Sequence, residues 1–254
     1  KHHLAGFERT QAAWDSLQHL LERENRTGQF VTLPAYEWHS LRWGDYCLYF
    51  LTSRPPLFHA KDFKELRDFA ARHGALMIPH HCGYPVGRRG TNWKELGLED
   101  SPVCEVFSEH GSSFSAPSSF PMLGHSMGGA QKSQTALWQL VSGRKVGFTA
   151  GTDNHFGHPG SYGQGLTGMY AEELSRESIF GALAERHTFA VTGDRIEAEF
   201  GLGSGIPGDV IDPDGGAHGF LNVHGRDAID AVDILKNGRT WRRFSPNGSE
   251  TEAR

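Results

Sequence analysis

Cysteine is scarce in this chain of 254 residues: Cys47, Cys82 and Cys104 stand far apart. That number and spacing exclude a disulfide framework and fit a cytoplasmic protein. No run of about 18 apolar residues occurs, which excludes a membrane-spanning helix of the usual kind. Bulk positive charge is missing as well. The 25 basic and 30 acidic residues leave a net charge of −5, so no nucleic-acid surface rests on overall charge. There is no Walker loop and no Gly-x-Ser-x-Gly elbow. The run Gly201, Gly203, Gly205, Gly208 lacks the strand–glycine–helix setting of a nucleotide fold. The opening Lys1-His2-His3 has no initiator methionine and no signal peptide, and it reads as a start inside a domain.

What is present is core material and histidine. Hydrophobic residues make up 37 %, enough for one large α/β domain or a domain with a small appendage. Fifteen histidines are more than a chain of this size usually carries, so their positions decide their meaning. Helical spacing predicts a helix from Glu8 to Arg26, a second over Asp62–His73 closed by Gly74, a third over Lys132–Val141 and a fourth over Arg176–Arg186. Apolar runs predict strands at Val31–Trp38, Ala75–His81, Val103–Ser108, Val146–Asp153 and Thr188–Gly193, with Pro34 against the first. Tyr46–Leu51 reads as an antiparallel addition, a hairpin partner of Val31–Trp38. Strands alternating with helices imply βαβ units, a parallel sheet and an α/β fold. A closed barrel needs more strands, which would lie upstream of Lys1. After residue 196 the texture changes to short alternating runs. Asn237-Gly238 between Val232–Leu235 and Thr240–Phe244 is a strong hairpin signal. The division expected is 1–196 for the barrel and 197–254 for a β-rich segment, an incomplete β-sandwich cut off at Arg254. The Ser/Gly/Pro-rich stretch Gly111–Gly129 is long enough to suspect an active-site lid.

Chemistry-bearing residues collect at predicted strand ends. Asp153 and His155, two apart in an extended backbone, would project to one side and reach one ion. A turn would account for the Asn, Gly and Pro around them but requires neither side chain. A carboxylate with an imidazole is a common donor pair for zinc, manganese or iron. In Ile78-Pro79-His80-His81, alternation sends the two histidines to opposite faces, and His80 is the preferred ligand. Glu37, flanked by Tyr36 and Trp38, is a carboxylate that a cation or an arginine would compensate. His110 lies just past the strand that carries Glu105, and parity argues against both serving one metal. Arg88, Arg89, Arg195 and His158 are candidates for holding an anionic substrate, with Arg88, Arg195 and His158 preferred.

The blocks YEW at 36–38, IPHH at 78–81, EVFSEHGSS at 105–113, GTDNHFGHPGSYGQGLTGMYAEELSRESIFGAL at 151–183 and RHTFAVTGDRI at 186–196 resemble the PHP (polymerase and histidinol phosphatase) superfamily. The likeness is nearest to a poorly characterised bacterial branch and runs over about Pro34–Arg195. It implies a distorted (β/α)7 barrel, here partial, with two or three divalent metal ions at its C-terminal face. It also implies a phosphoesterase that uses a metal-bound hydroxide. Residue by residue, Glu37 matches the bridging glutamate, His80 the mid-domain histidine, and Asp153 and His155 the final Asp-x-His pair. Asp153 and His155 are thereby the catalytic candidates, and His110 takes the remaining metal position. The family's opening His-x-His and Asp-His motifs have no counterpart, so the chain by itself is expected to bind metal poorly and to hydrolyse little. Gly44-Asp45-Tyr46-Cys47 stands where the branch shows a Gly-His-Arg-Asn-like element. Two other functions compete: a barrel hydrolase of an amide-type bond, and a non-catalytic binding module with a degenerate site. Bound metal in the purified protein separates the last from the hydrolases.

Overall fold

Helix α1 (Leu4–Glu24) opens the structure, a computed structural model that describes residues 4–97, 100–158, 160–161, 163–212, 218–246 and 252–253. The expectations for Lys1-His2-His3, and for Pro159 and Tyr162 in the 151–183 block, lie outside the described residues. On α1 the buried Trp14 donates its indole N–H to the Pro55 carbonyl at 2.8 Å. Strand β1 (Ala35–Trp38) is shorter than the apolar run predicts. Pro34 has no N–H to give a ladder, so the strand begins after it, while its carbonyl still accepts the Phe50 N–H at 2.9 Å.

Strand β2 (Asp45–Phe50) returns antiparallel to β1, with Glu37 opposite Cys47. Helix α2 (Phe63–His73) follows where its caps dictate. The Asp62 carboxylate accepts the Glu65 N–H at 2.9 Å, and Glu65 reaches back to the Lys61 N–H at 3.0 Å. Gly74 ends the helix at φ 59, a left-handed turn that glycine makes without a Cβ penalty. Phe63, Leu66 and Phe69 on α2 pack into one core cluster with Tyr46, Leu48, Phe50 and Met77. Each such side chain contributes about 1.5–3 kcal/mol by leaving water.

Strand β3 (Ala75–His80) lies antiparallel to β2, placing Asp45 opposite His80. Strand β4 (Val103–Ser108) sits beside β3, pairs with the two-residue β5 (Gly111–Ser112), and precedes helix α3 (Ala136–Val141). A short 3-10 turn, Lys132–Gln134, replaces the first part of the helix expected there, because Thr135 caps α3 from its own side chain. Strand β6 (Gly147–Ala150) pairs parallel with β4, and the register shifts between Glu105 and Phe107. Strand β7 (Leu166–Met169), helix α4 (Arg176–Ala184) and strand β8 (Thr188–Val191) complete this part, with β7 and β8 antiparallel. Side chains join them to β6: Thr188 donates to the Phe148 carbonyl at 2.8 Å, and Thr167 accepts the Ala150 N–H at 2.9 Å. The buried Arg176 ties α4 to the start of the chain by donating to the Thr32 carbonyl at 2.8 Å and to Ser53 Oγ at 3.0 Å.

The architecture is mixed α/β, built from small sheets. One expectation is corrected. Among the described strands only β4 and β6 pair in parallel; the others pair antiparallel. Antiparallel β2 lies between β1 and β3, so those two never share a ladder.

Beyond residue 196, β9 (Glu197–Leu202) pairs with β10 (Gly219–His224), and β11 (Val232–Lys236) with β12 (Arg239–Phe244). Two residues, β13 (Glu252–Ala253), add to β10. Asn237 at φ 54 and Gly238 at φ 75 make the tight turn between β11 and β12 that their pairing predicts. The glycines at 201–208 include the end of β9, which the glycine-rich reading passed over.

Candidate metal centre

Five strand ends meet at one place. β1, β3, β4 and β6 contribute residues at or near their C-terminal ends. Antiparallel β2 contributes its first, Asp45. His80 holds the middle, buried, between two carboxylates: Nδ1 is 2.7 Å from Glu105 Oε1 and Nε2 is 3.4 Å from Asp153 Oδ2. Glu105 Oε1 also accepts the His81 backbone N–H at 3.4 Å, which anchors the turn leaving β3. His110 Nε2 stands 3.1 Å from the same Asp153 oxygen.

The alternation argument for His80 and His81 fails here. β3 stops at His80, and His81 takes φ 34, so the backbone leaves the strand and both rings converge with centroids 4.0 Å apart. His81 Nε2 lies 3.1 Å from Asp45 Oδ2, with neither residue exposed. Parity also misleads for Glu105 and His110. Glu105 binds His80 while His110, in the turn after β4, meets Asp153, so the two carry different parts of one cluster.

Asp153 and His155 come together differently from the extended pair expected. Asp153 adopts φ 51 past the end of β6, and Asn154 Oδ1 accepts the N–H groups of Phe156 at 2.9 Å and His158 at 3.1 Å, which makes a turn. Asp153 points inward. His155, its side chain 67 % exposed, bonds Glu109 Oε1 at 3.0 Å at the rim. Glu37, its side chain 34 % exposed, is 3.5 Å from an Arg89 nitrogen, and that nitrogen is 2.5 Å from Asp45 Oδ2. Arg88, preferred over Arg89 from the sequence, is exposed, and the chain turns at Arg89 (φ 68) to send that guanidinium inward instead. His158 and Arg195 are exposed. The His158 carbonyl accepts from Ser161 at 2.6 Å, and the Arg195 N–H donates to its neighbour Asp194.

The donors form overlapping sets whose ligating atoms lie within 4.8 Å of one another: Glu37, His80 and Asp153; Glu37, Asp45 and His81; His80, His81 and His110; and Glu109, Asp153 and His155. Among the described residues Asp153 Oδ2 and both His81 nitrogens are buried yet make no hydrogen bond, and Asp45 Oδ2, equally buried, has the Arg89 guanidinium as its charge partner. Buried polar atoms without partners are costly. Spacings of 3.1–3.4 Å without hydrogen-bond alignment suit donors around a shared cation, whose bonds of about 2.0–2.2 Å set their ligand atoms roughly 3 Å apart. The carboxylate and imidazole chemistry of the set fits a divalent ion.

Charge in the cluster is finely balanced. Burial opposes a proton on His80, but the carboxylates of Glu105 and Asp153 overcome it and hold His80 well above the usual histidine range. Burial pushes His81 down to about 4, against the pull of Asp45. Burial works against the charge of Asp153 and of Asp45. The neighbouring imidazoles of His110 and His80 keep Asp153 low, and His81 with Arg89 keeps Asp45 low. Desolvation raises Glu37. The Asp153 carbonyl and carboxylate, with Glu109, raise His155. Under the centre a cavity of about 110 Å³ reaches from His80 and Glu105 past Cys47, Tyr49 and Thr149.

Asp45, His81 and Arg89 are the members that strand-end reasoning set aside or missed. One signal pointed to Asp45: a carboxylate heading the otherwise apolar run DYCLYF.

Fold and site together define a mixed α/β protein whose histidine and aspartate cluster has the composition to hold a divalent metal ion. A family model described as a protein of unknown function, DUF3604, matches residues 149–218, the stretch that includes Asp153 and His155. An uncharacterized protein of Chlamydia pneumoniae is 23 % identical over 265 residues, covering 94 % of this chain and 42 % of its own length. One from Chlamydia muridarum is 27 % identical over 180 residues, covering 64 % of this chain and 29 % of its own. The chain therefore spans less than half the length of these relatives. A two-domain protein from Bacteroides vulgatus, described as containing a predicted PHP-like metal-dependent phosphoesterase, superposes with a TM-score of 0.45 at 16 % identity, over 92 % of this chain and 71 % of that one. Among the described residues no helix is long and apolar enough to cross a membrane.

Proposed function

We propose that the protein is a metal-dependent hydrolase and that the centre at the ends of β1, β2, β3, β4 and β6 is its active site. The observation that carries this reading is the set of buried donor atoms on His81 and Asp153 that make no hydrogen bond, gathered with His80, His110 and the buried Asp45. In this reading Glu37, His80, His110 and Asp153 are ligands, as the sequence suggests, and Asp45 and His81 join them. His155 stands at the rim, and Glu109 keeps it near the cluster. Zinc, manganese or iron there would acidify a water to near neutrality and neutralise substrate oxygens.

The chain's own residues supply the rest. Glu105 accepts from His80 Nδ1 and so turns Nε2 toward Asp153. Arg89, partly exposed beside Asp45, and His155 at the rim, whose proton affinity its carbonyl and carboxylate neighbours raise, favour an anionic substrate and put a phosphoester ahead of an amide. The reading treats residues 1–196 as a partial (β/α)7-type catalytic domain and 197–254 as an appended β-segment. Activity is assigned to the whole protein, of which this chain is the site-bearing part.

Elemental analysis with hydrolysis of 4-nitrophenyl phosphate tests the proposal. In the whole protein near-stoichiometric metal and turnover that Asp153→Asn abolishes are expected. A protein that neither carries metal nor takes up zinc or manganese is a binding module, and the hydrolase reading falls.

A further inference from the structure

Next to the donors Tyr84 is wholly buried, and its hydroxyl meets three polar atoms: His110 Nδ1 at 3.1 Å, His125 Nε2 at 3.1 Å and the Leu123 carbonyl at 3.2 Å. The protons in this group can be placed by following donors and acceptors. The Met127 backbone N–H donates to His125 Nδ1 at 3.2 Å. That nitrogen must offer a lone pair, so the neutral His125 ring carries its proton on Nε2 and donates it to Tyr84 Oη.

A phenol oxygen has one proton and two lone pairs. The Leu123 carbonyl can only accept, so it takes the phenol proton. One lone pair remains for His110, whose Nδ1 then donates to it; the alternative acceptor role, taking the proton of His125 Nε2, spans a longer 3.4 Å against 3.1 Å to the phenol oxygen. His110 Nε2 is left bare. That nitrogen is the one 3.1 Å from Asp153 Oδ2, an oxygen that receives no hydrogen bond from the described residues. A lone pair facing a carboxylate at that distance is repulsive unless a cation lies between them.

We propose that Tyr84 and His125 are positioning residues that lock His110 in its Nδ1–H tautomer, so that Nε2 presents its lone pair to a divalent cation shared with Asp153. The proposal rests on the metal-centre reading above. It gives the 111–129 stretch a task other than a lid: the Leu123 N–H donates to the His110 carbonyl at 2.9 Å, and the stretch delivers Leu123 O and His125 to Tyr84. It also explains a tight approach. A Cβ on Gly90 would lie 1.7 Å from the Tyr84 carbonyl oxygen, so only glycine leaves the tyrosine backbone where it is.

The test reads tautomers and metal separately. Histidine ¹⁵N NMR of the metal-free protein, at mildly alkaline pH where imidazoles are neutral, should show His110 protonated on Nδ1. Tyr84→Phe keeps the buried ring but removes the oxygen. It should move the His110 proton to Nε2 and weaken zinc binding, measured by chelator competition, about 10–100-fold. His125→Gln, whose amide both donates and accepts, should keep the tautomer and most of the affinity, and urea midpoints verify that both variants fold. A wild-type His110 protonated on Nε2, or a Tyr84→Phe protein with unchanged tautomer and affinity, overturns the lock. A wild type that shows the tautomer but binds no zinc overturns the metal centre itself, and with it the purpose assigned to the lock.

Discussion

Asp45, the first residue of β2, lies directly opposite His80, the last residue of β3, because the two strands run antiparallel. This pairing brings the start of one strand to the end where β1, β3, β4 and β6 deliver their side chains. Asp45 thereby reaches His81 and Arg89 while fully buried. A carboxylate held so deep needs positive charge or a metal ion beside it.

Zinc should raise thermal stability by ligand linkage, about 2.7 kcal/mol at a hundred-fold excess over Kd. Asp153→Asn should abolish that gain, because Asp153 faces both His80 and His110. Differential scanning calorimetry with and without zinc measures it. An undiminished shift in the variant would remove Asp153 from the ligand set.

Arg89→Ala should destabilise the metal-free protein by about 3 kcal/mol or more, since buried Asp45 loses its cationic neighbour. The same variant should gain more from zinc than wild type does, because the ion then supplies the missing charge. Urea titrations of both proteins in both states give the four numbers needed. Equal zinc gains would show that Arg89 and the ion do not share Asp45.

The metal-free protein should be most stable near pH 6.5, the ordinary histidine value. His81, pushed down to about 4, stays neutral in the fold while the unfolded chain takes up a proton, so its contribution is lost as pH falls from about 6.5 toward 4. His80, held well above its usual value, contributes below 6.5 and loses that contribution as pH rises. His81→Gln should flatten the acid limb and His80→Gln the alkaline limb of a plot of urea midpoint against pH. Limbs that stay unchanged in both variants would contradict these assignments.

Leu66→Ala should cost about 2–5 kcal/mol, because the side chain is wholly buried in the cluster between α2 and β2–β3. Gly74→Ala should cost only about 1 kcal/mol, since its left-handed backbone is strained by a Cβ that nonetheless meets open space. Comparable losses for the two would mean that α2 is not the support of this sheet.

Local chemistry made much of this structure readable. Asp62 and Gly74 bracket α2, the run VCEVFS is β4, and Asn237-Gly238 turns β11 into β12. Each of these is decided within a few residues by a cap, an apolar run or a positive φ. Strands β7 and β9 were not readable, because LTGM and EAEFGL carry too little apolar alternation and find their partners only across the fold. In the candidate site, His80, His110 and Asp153 were visible as polar residues at the ends of apolar runs. Asp45 was passed over because it starts its apolar run instead of ending one.

The sequence by itself determined that four helices form and where α2 is capped, which runs are buried, and that carboxylates and imidazoles collect at strand ends, since those depend on neighbours in the chain. Only the tertiary structure decided that β2, readable as the antiparallel partner of β1, also pairs with β3, that His81 turns to join His80, and that Arg89 rather than Arg88 faces Asp45. Those outcomes depend on pairing between distant strands and on single left-handed residues, which no periodicity records.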